Sequence, residues 1–333
     1  MTSPKPSRNP VSAASAMVRK YWLALLIIGG LVSAGIFFHR ELGQIDHPLH
    51  VSLSFLPIAL VLQAVYWLFL SVLWKRIVAE VTGTRLPLKE SLFQLCLVSI
   101  AKYVPGKLWG AVARGARMKR RDGIGAQQII VATCVEQFFV LYSAVVVAAA
   151  LLAGRYNSAW AWGLLAASVA GAILGQRYHG LAVRLILRFY VRLRGGEREA
   201  SAVKNLPGPK YYFLLGAYAA QWVILGLVFA FVYFTFFLVQ PGSRLIYSLL
   251  LANTVSITVG FLAVFAPGGI GVREAVSSAI LASQIPLTNA VLVSLLFRLW
   301  LIVTEIVLGA IAFWGSGREV IAALRRSGST ADE

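Results

Sequence analysis

Seven charged residues stand in stretches that are otherwise apolar: Lys102, Lys107, Glu136, Arg273, Glu274, Arg298 and Glu305. Four of them lie beside two helix-breaking motifs, Pro105-Gly106 and Pro267-Gly268-Gly269. Proline lacks an N–H and glycine tolerates unusual dihedrals, so each motif opens a helix. The helix that resumes after such a break presents unbonded N–H groups and about half a positive charge to the opening. That arrangement suits an anion. Lys102 and Lys107 flank the first break, and Arg273 follows the second. A phosphate is the natural ligand for this set. The plainer alternative is that both motifs merely kink packed helices. Basic residues beside both breaks favour the ligand.

Glu136, Arg298 and Glu305 pose a different question. A charge held at mid-bilayer costs about 2.5–3.5 kcal/mol, so such residues face an interior and pair. Glu305 follows Arg298 by seven residues, two turns along one helix face. Glu136 is expected to pair with Arg298. The three would gate a path, carry a proton, or hold a headgroup amine or sugar; a purely structural ion pair is the competing reading. Arg273 and Glu274 form a candidate local pair, with Glu274 at a helix N-terminus, where an acid is favoured.

What must position these residues is a membrane bundle. The chain has 333 residues, 59% hydrophobic and only 13% charged. Soluble domains average about 45–50% and about 25%. A crossing needs about 20 apolar residues. Segments 21–38, 53–73, 126–153, 159–175, 211–239 and 289–314 qualify, and 91–116 and 245–285 are apolar but broken. Lys and Arg accumulate in cytoplasmic loops. Assigning the N-terminus to the cytoplasm places 24 of the 31 basic residues inside and three outside, with four in apolar surroundings. Region 91–116 then becomes a re-entrant hairpin from the cytoplasm and 245–285 one from the opposite side. His39-Arg40-Glu41 is a poor cleavage site, so 21–38 is expected to remain as a first span. The expected organisation is a cytoplasmic tail over 1–18, a transmembrane domain over 19–315 with halves 19–155 and 156–315, and a cytoplasmic tail over 316–333.

Each half reads span, span, hairpin, span, which with three crossings per half makes an inverted repeat of the kind seen in secondary transporters. Pro105 to Glu136 is 31 residues, and so is Pro267 to Arg298. The fold class is therefore all-α integral membrane, a polytopic helix bundle with two broken or re-entrant hairpins and an inverted repeat. From His179 to Arg194, Arg184, Arg188 and Arg192 recur every four residues among Leu, Ile, Phe and Tyr, as in an amphipathic helix lying on the inner leaflet. Tyr21, Trp22, Trp160, Trp162 and Tyr211 read as interfacial anchors.

The net charge of +18 is spread between apolar runs, so anionic membrane headgroups rather than nucleic acid are the expected partner. Cys96 and Cys134 offer no disulfide framework, the four histidines offer no zinc motif, and no nucleotide or cofactor motif occurs. No metal and no cofactor is expected.

The run Ala101-Lys102-Tyr103-Val104-Pro105-Gly106-Lys107-Leu108-Trp109, together with Ala266-Pro267-Gly268-Gly269-Ile270-Gly271-Val272-Arg273-Glu274, resembles the lysylphosphatidylglycerol synthase transmembrane-region family of flippase-like proteins. The resemblance covers about residues 20–315. It implies a membrane part that moves lipid between leaflets, without the cytoplasmic synthase domain, since this chain ends at Glu333. The expected cargo is an anionic phospholipid or a polyprenyl-phosphate-linked glycolipid of the inner membrane. Lys102, Tyr103, Lys107, Arg273 and Glu274 form the expected headgroup site, with Glu136, Arg298 and Glu305 gating or coupling. Candidate protein partners are a second copy and a lipid-synthesising or glycosyltransferase enzyme. An intramembrane lipid-modifying enzyme and an envelope-assembly scaffold are the alternatives.

Overall fold

The computed structural model describes residues 51–102, 109–193, 205–237, 242–263 and 266–329. Tyr103, Pro105, Gly106 and Lys107, and the first span at 21–38, lie outside the described residues. The described residues form nine α-helices and no strand. These are α1 (Leu56–Thr82), α2 (Leu88–Ala101), α3 (Trp109–Asp122), α4 (Ala126–Tyr156), α5 (Ala159–Leu193), α6 (Gly208–Phe236), α7 (Ser243–Leu262), α8 (Val272–Leu281) and α9 (Leu287–Ser329). Six segments are long and apolar enough to cross a membrane: Leu53–Thr82, Ala126–Tyr156, Ala159–Leu185, Gly208–Phe236, Ser243–Leu262 and Leu287–Ile311. The chain is a polytopic helical membrane protein.

Local signals set several helix ends. Proline in the first turn starts α1 and α6, where its missing N–H costs nothing. Left-handed Gly83 (φ 75°) stops α1, and Asn157 (φ 45°) stops α4.

Contacts between helix ends sort them onto two faces. At one, Lys210 Nζ at the start of α6 pairs with Glu80 Oε2 at the end of α1, 2.7 Å apart. His179 Nε2 on α5 accepts the Leu206 N–H at 2.8 Å on the same face. This face holds the basic loops. At the other, the Ser52 N–H donates to the Thr235 carbonyl at 2.8 Å, and Arg155 Nη2 donates to Ser283 Oγ at 2.5 Å. Tyr247 packs on Gly154 there too, so closely that a Cβ at 154 would meet its ring at 2.9 Å. The ends of α4, α6 and α8 and the starts of α7 and α9 thus share one face.

It follows that α2 and α3 enter from the basic face and return to it. At 14 residues each, they are about 21 Å long, short of the ~30 Å hydrocarbon core. The α7–α8 pair opens to the opposite face, but its arms are unequal. The ten residues of α8 make a half-length helix, whereas the 20 residues of α7 could cross alone. The sequence allows either a hairpin or a full span plus a half helix here, because the arm 245–264 is long enough to span by itself. The longer arm arises because no breaker interrupts Ser243–Leu262.

Helix neighbours repeat between the halves. The packed pairs α1–α2, α2–α3, α3–α4 and α2–α9 have counterparts α6–α7, α7–α8, α8–α9 and α7–α4, while α1 and α6 pack on each other. Pro267 lies 162 residues after Pro105. Helices α8 and α9 begin within one residue of that offset from α3 and α4.

Two elements differ from expectation. Residues 179–193 do not form a separate surface helix; they continue α5, which runs unbroken through 35 residues. The reason is local: no Gly-Pro or turn motif separates the span from the arginine-bearing turns. Likewise α9 continues through 43 residues to Ser329, so most of 316–333 is helix. Tyr211 is no interfacial anchor: it is fully buried against Phe139 and His179, its hydroxyl close over Gly175. Trp160 and Trp162 are exposed.

Buried charge organises the first hairpin. Arg114 on α3, 1% exposed, lies over the Trp74 ring at 3.7 Å and donates to Glu136 Oε2 at 2.5 Å. Gln94 accepts from Trp74 Nε1 at 2.8 Å and donates to Glu90 Oε1 at 3.0 Å. Glu90 in turn accepts a bidentate pair from Arg117 (2.8 Å and 2.8 Å) and pairs with Arg121 at 2.7 Å. These bonds fasten α2 and α3 to each other, to α1 and to α4.

Two measurements check this description. Both native cysteines are buried, so single cysteines can be read with a membrane-impermeant maleimide. N157C and Q284C are expected to label from one side of the membrane, and R85C and D122C from the other. Labelling of Q284C together with R85C would show that α7–α8 does not return. Separately, Arg114→Met leaves Glu136 buried without its cation. Breaking such a pair costs about 3–5 kcal/mol, so resistance to SDS unfolding, followed by circular dichroism, is expected to fall by that amount. R114M/E136Q should recover most of the loss; equal loss in both would show that packing of the arginine stem dominates.

Candidate functional site

The two hairpin tips meet inside the bundle. The Gly268 N–H in the second tip donates to the Lys102 carbonyl in the first, at 3.0 Å. The second tip is a 3-10 turn, Pro267–Gly269, with Gly268, Gly269 and Gly271 all left-handed (φ 59°, 73° and 81°). A side chain at any of these dihedrals is strained. Glycine at 268, 269 and 271 is therefore what lets the chain reverse within the length available.

Three cations gather at this junction. Lys102, at the end of α2, reaches across to the Glu305 carboxylate on α9. Arg298, two turns earlier on α9, donates through Nη1 to the Gly268 carbonyl at 3.0 Å, with its Nε 3.8 Å from Glu274 Oε1 on α8. Arg273 threads between two glycines. A Cβ on Gly260 of α7 would overlap its Cγ and come within 2.9 Å of its Nε, and a Cβ on Gly269 would lie 2.8 Å from that Nε. Tyr66 on α1 is within electrostatic reach of Glu305, Arg273 and Glu136.

The carboxylates are placed for different tasks. Glu274 caps α8, accepting the Gly271 N–H through Oε2 at 2.7 Å. The positively polarised end of α8 is thus partly occupied by the chain's own acid. Glu274 and Arg273 do not form the local pair considered above; the Glu274 carboxylate faces Arg298. Hydroxyls brace the same two helices, with Ser294 Oγ on α9 donating to Ser277 Oγ at 3.0 Å and Ser278 Oγ donating to Ser294 Oγ at 3.3 Å.

Glu136 is not Arg298's partner. Each of the two pairs instead with the half-length helix packed beside it in its own half, Glu136 with Arg114 on α3 and Arg298 with Glu274 on α8. The halves carry equivalent buried ion pairs with the charges exchanged. Physically, the neighbouring arm delivers an opposite charge at contact distance, so no link across the repeat is needed. Arg114 escapes the sequence reading because it sits among Arg117, Lys119, Arg120 and Arg121 and reads as one more loop cation. Gly260 escapes it as well, since nothing in one sequence says which side chain a helical glycine admits.

Lys102, Arg273, Glu274, Arg298, Glu305 and the Pro267–Gly269 turn are thus brought together; Glu136 belongs to the Arg114 network. Three cations face two carboxylates among the described residues, leaving one positive charge in excess. The arrangement can hold an anion next to a partly neutralised basic cluster.

Comparison with known proteins gives one finding of weight. Residues 19–309 match the family model described as the lysylphosphatidylglycerol synthase TM region. No curated protein matched the chain. The matched span takes in both hairpins, the ion pairs and every described helix through most of the last span, and the family's description ties it to a lipid product. The chain belongs to the lysylphosphatidylglycerol synthase transmembrane-region family, as a multi-pass membrane protein of lipid-related function.

Proposed function

We propose that the protein moves an anionic phospholipid, or a polyprenyl-phosphate-linked glycolipid, between the leaflets of the cell's inner membrane, with both termini cytoplasmic. The observation that carries this is the meeting of two opposed hairpin tips beside Lys102, Arg273 and Arg298. A membrane protein keeps irregular backbone at depth only where protein buries it or where it lines a polar cavity. Here cations gather beside the irregular backbone, and positive charge at that place attracts a phosphate. One hairpin opens to each face, so a rocking of one half against the other would expose the junction to either leaflet in turn, as in other inverted-repeat carriers. The basic face is cytoplasmic by the distribution of Lys and Arg.

In this reading Arg273 and Lys102 hold the phosphate, with Lys107 and Tyr103 contributed by the first break. Arg298 keeps the Gly268 turn in place, and Glu274 orients Arg298 while capping α8. Glu136 is structural. No residue is assigned to bond making or breaking: the protein acts as a carrier rather than an enzyme.

The test is lipid movement in proteoliposomes, read as dithionite-accessible fluorescence of NBD-labelled phosphatidylglycerol. Arg273→Ala is expected to reduce the rate at least tenfold while the protein still elutes as a folded, monodisperse species. Wild-type movement by that variant would overturn the assignment. Gly260→Ala should act in the same direction with the charge intact, because its methyl group takes the space that Arg273 threads. A chemical change in the lipid, seen by mass spectrometry, would instead point to a lipid-modifying enzyme.

A further inference from the structure

The Lys102–Glu305 pair differs from the other buried pairs described. Glu136 and Arg298 are each held within their own half. Lys102 and Glu305 join different halves, one at a hairpin tip and one on the last span. The pair also holds the same residue whose carbonyl receives Gly268 from the opposing tip. Its two members are unequally covered: the Lys102 side chain is 28% exposed and that of Glu305 8%. The cation is the less covered member of the pair.

An anionic headgroup arriving at Lys102 meets a carboxylate already there. Two anions on one ammonium repel, and the buried carboxylate has no water to retreat into. A proton on Glu305 removes the conflict. The carboxylate becomes a neutral carboxylic acid, which can donate one hydrogen bond, and Lys102 is released to the phosphate. Several charged and titratable groups surround Glu305. From α2 come Lys102 and Cys96, and from α1 Tyr66; Arg273, on α8, acts on both Lys102 and Tyr66. Arg298 stands two turns away on the same helix and acts on Lys102.

We infer that Glu305 couples proton binding to headgroup binding, so that one proton travels with each anionic headgroup in the same direction. The proton comes from water on the entry side and adds to the Glu305 carboxylate. The headgroup phosphate replaces that carboxylate on Lys102. On the exit side the headgroup leaves, the proton returns to water, and the ion pair closes again. This rests on the anion-carrier reading above.

The experiment uses the full chain in two settings. In detergent, binding of short-chain phosphatidylglycerol is followed by native mass spectrometry between pH 6 and pH 8. Linked uptake of one proton makes affinity rise up to tenfold per pH unit as pH falls, and Glu305→Gln is expected to abolish that slope. A pH-independent wild type, or a slope retained in E305Q, would overturn the inference. Should E305Q fail to elute as folded protein, E305D decides: a displaced midpoint supports the assignment and an unchanged one overturns it. In proteoliposomes holding a pH-sensitive dye, an inward gradient of NBD-phosphatidylglycerol is expected to acidify the lumen. Lipid movement without acidification sinks the coupling but leaves the carrier reading intact. Pronounced pH-linked binding with no lipid movement at all sinks the carrier reading instead.

Discussion

Backbone that leaves its helix inside an apolar bundle must find partners for its N–H and carbonyl groups, and the rest of this structure is arranged around that need. The second hairpin breaks its helix at Pro267–Gly269, and that turn meets the end of α2. Gly268 of one tip donates to the carbonyl of Lys102 in the other. The remaining exposed groups of the second tip are taken up by charged side chains, the Gly268 carbonyl by Arg298 and the Gly271 N–H by Glu274. The charges that make the interior suitable for an anion are therefore the same charges that hold the broken backbone in place. A site of this kind cannot be stripped of its ionic groups without loosening the turn.

Buried ion pairs are a poor source of stability but a strong source of penalty when half is removed. The protein uses two of them to tie a half-length arm to the span that follows it, once in each half and with opposite polarity. Each hairpin is thereby fastened to a span of its own half. Among the described residues the halves are joined by the Lys102–Glu305 contact, the tip-to-tip hydrogen bond, the Lys210–Glu80 pair, and hydrogen bonds of Ser52 with Thr235, Tyr142 with Ser168, Arg155 with Ser283, Trp300 with Gln63 and Trp222 with Ser143.

The five predicted spans that fall in the described residues, the re-entrant first hairpin and the opposed orientation of the second were legible because hydropathy, Pro-Gly breaks and the side preference of basic residues are all local or additive signals. Lys102, Arg273, Glu274, Arg298 and Glu305 were legible as interior residues for the same reason: charge in apolar sequence is costly and so stands out. Their pairing was not. Glu136 and Arg298 occupy equivalent positions, which draws them together on paper, yet contact is decided by which arm packs alongside. Arg114 was hidden within a basic run, and its burial against Trp74 depends on how α3 lies on α1 and α4. The slot between Gly260 and Gly269 depends on the closeness of α7 and α8, a property of two helices that neither one encodes alone. The continuity of α5 past its apolar portion is a further case, since a change in hydropathy moves a helix out of lipid without ending it.

The length of the last helix reaches beyond the question of transport. The apolar run of α9 extends to Trp314, and the helix continues for 15 more residues to Ser329. At about 1.5 Å per residue that is about 22 Å of rod past the span, leaving from the basic face. Tilting by the usual ~20° cannot bring so long a helix back within the bilayer. A helical bundle of this size, wrapped in detergent, shows electron cryomicroscopy little but a featureless disc. A rod emerging from one side breaks the pseudo-twofold likeness of the two halves, separates top from bottom in projection, and offers a rigid stem on which a fiducial protein could be fused in register.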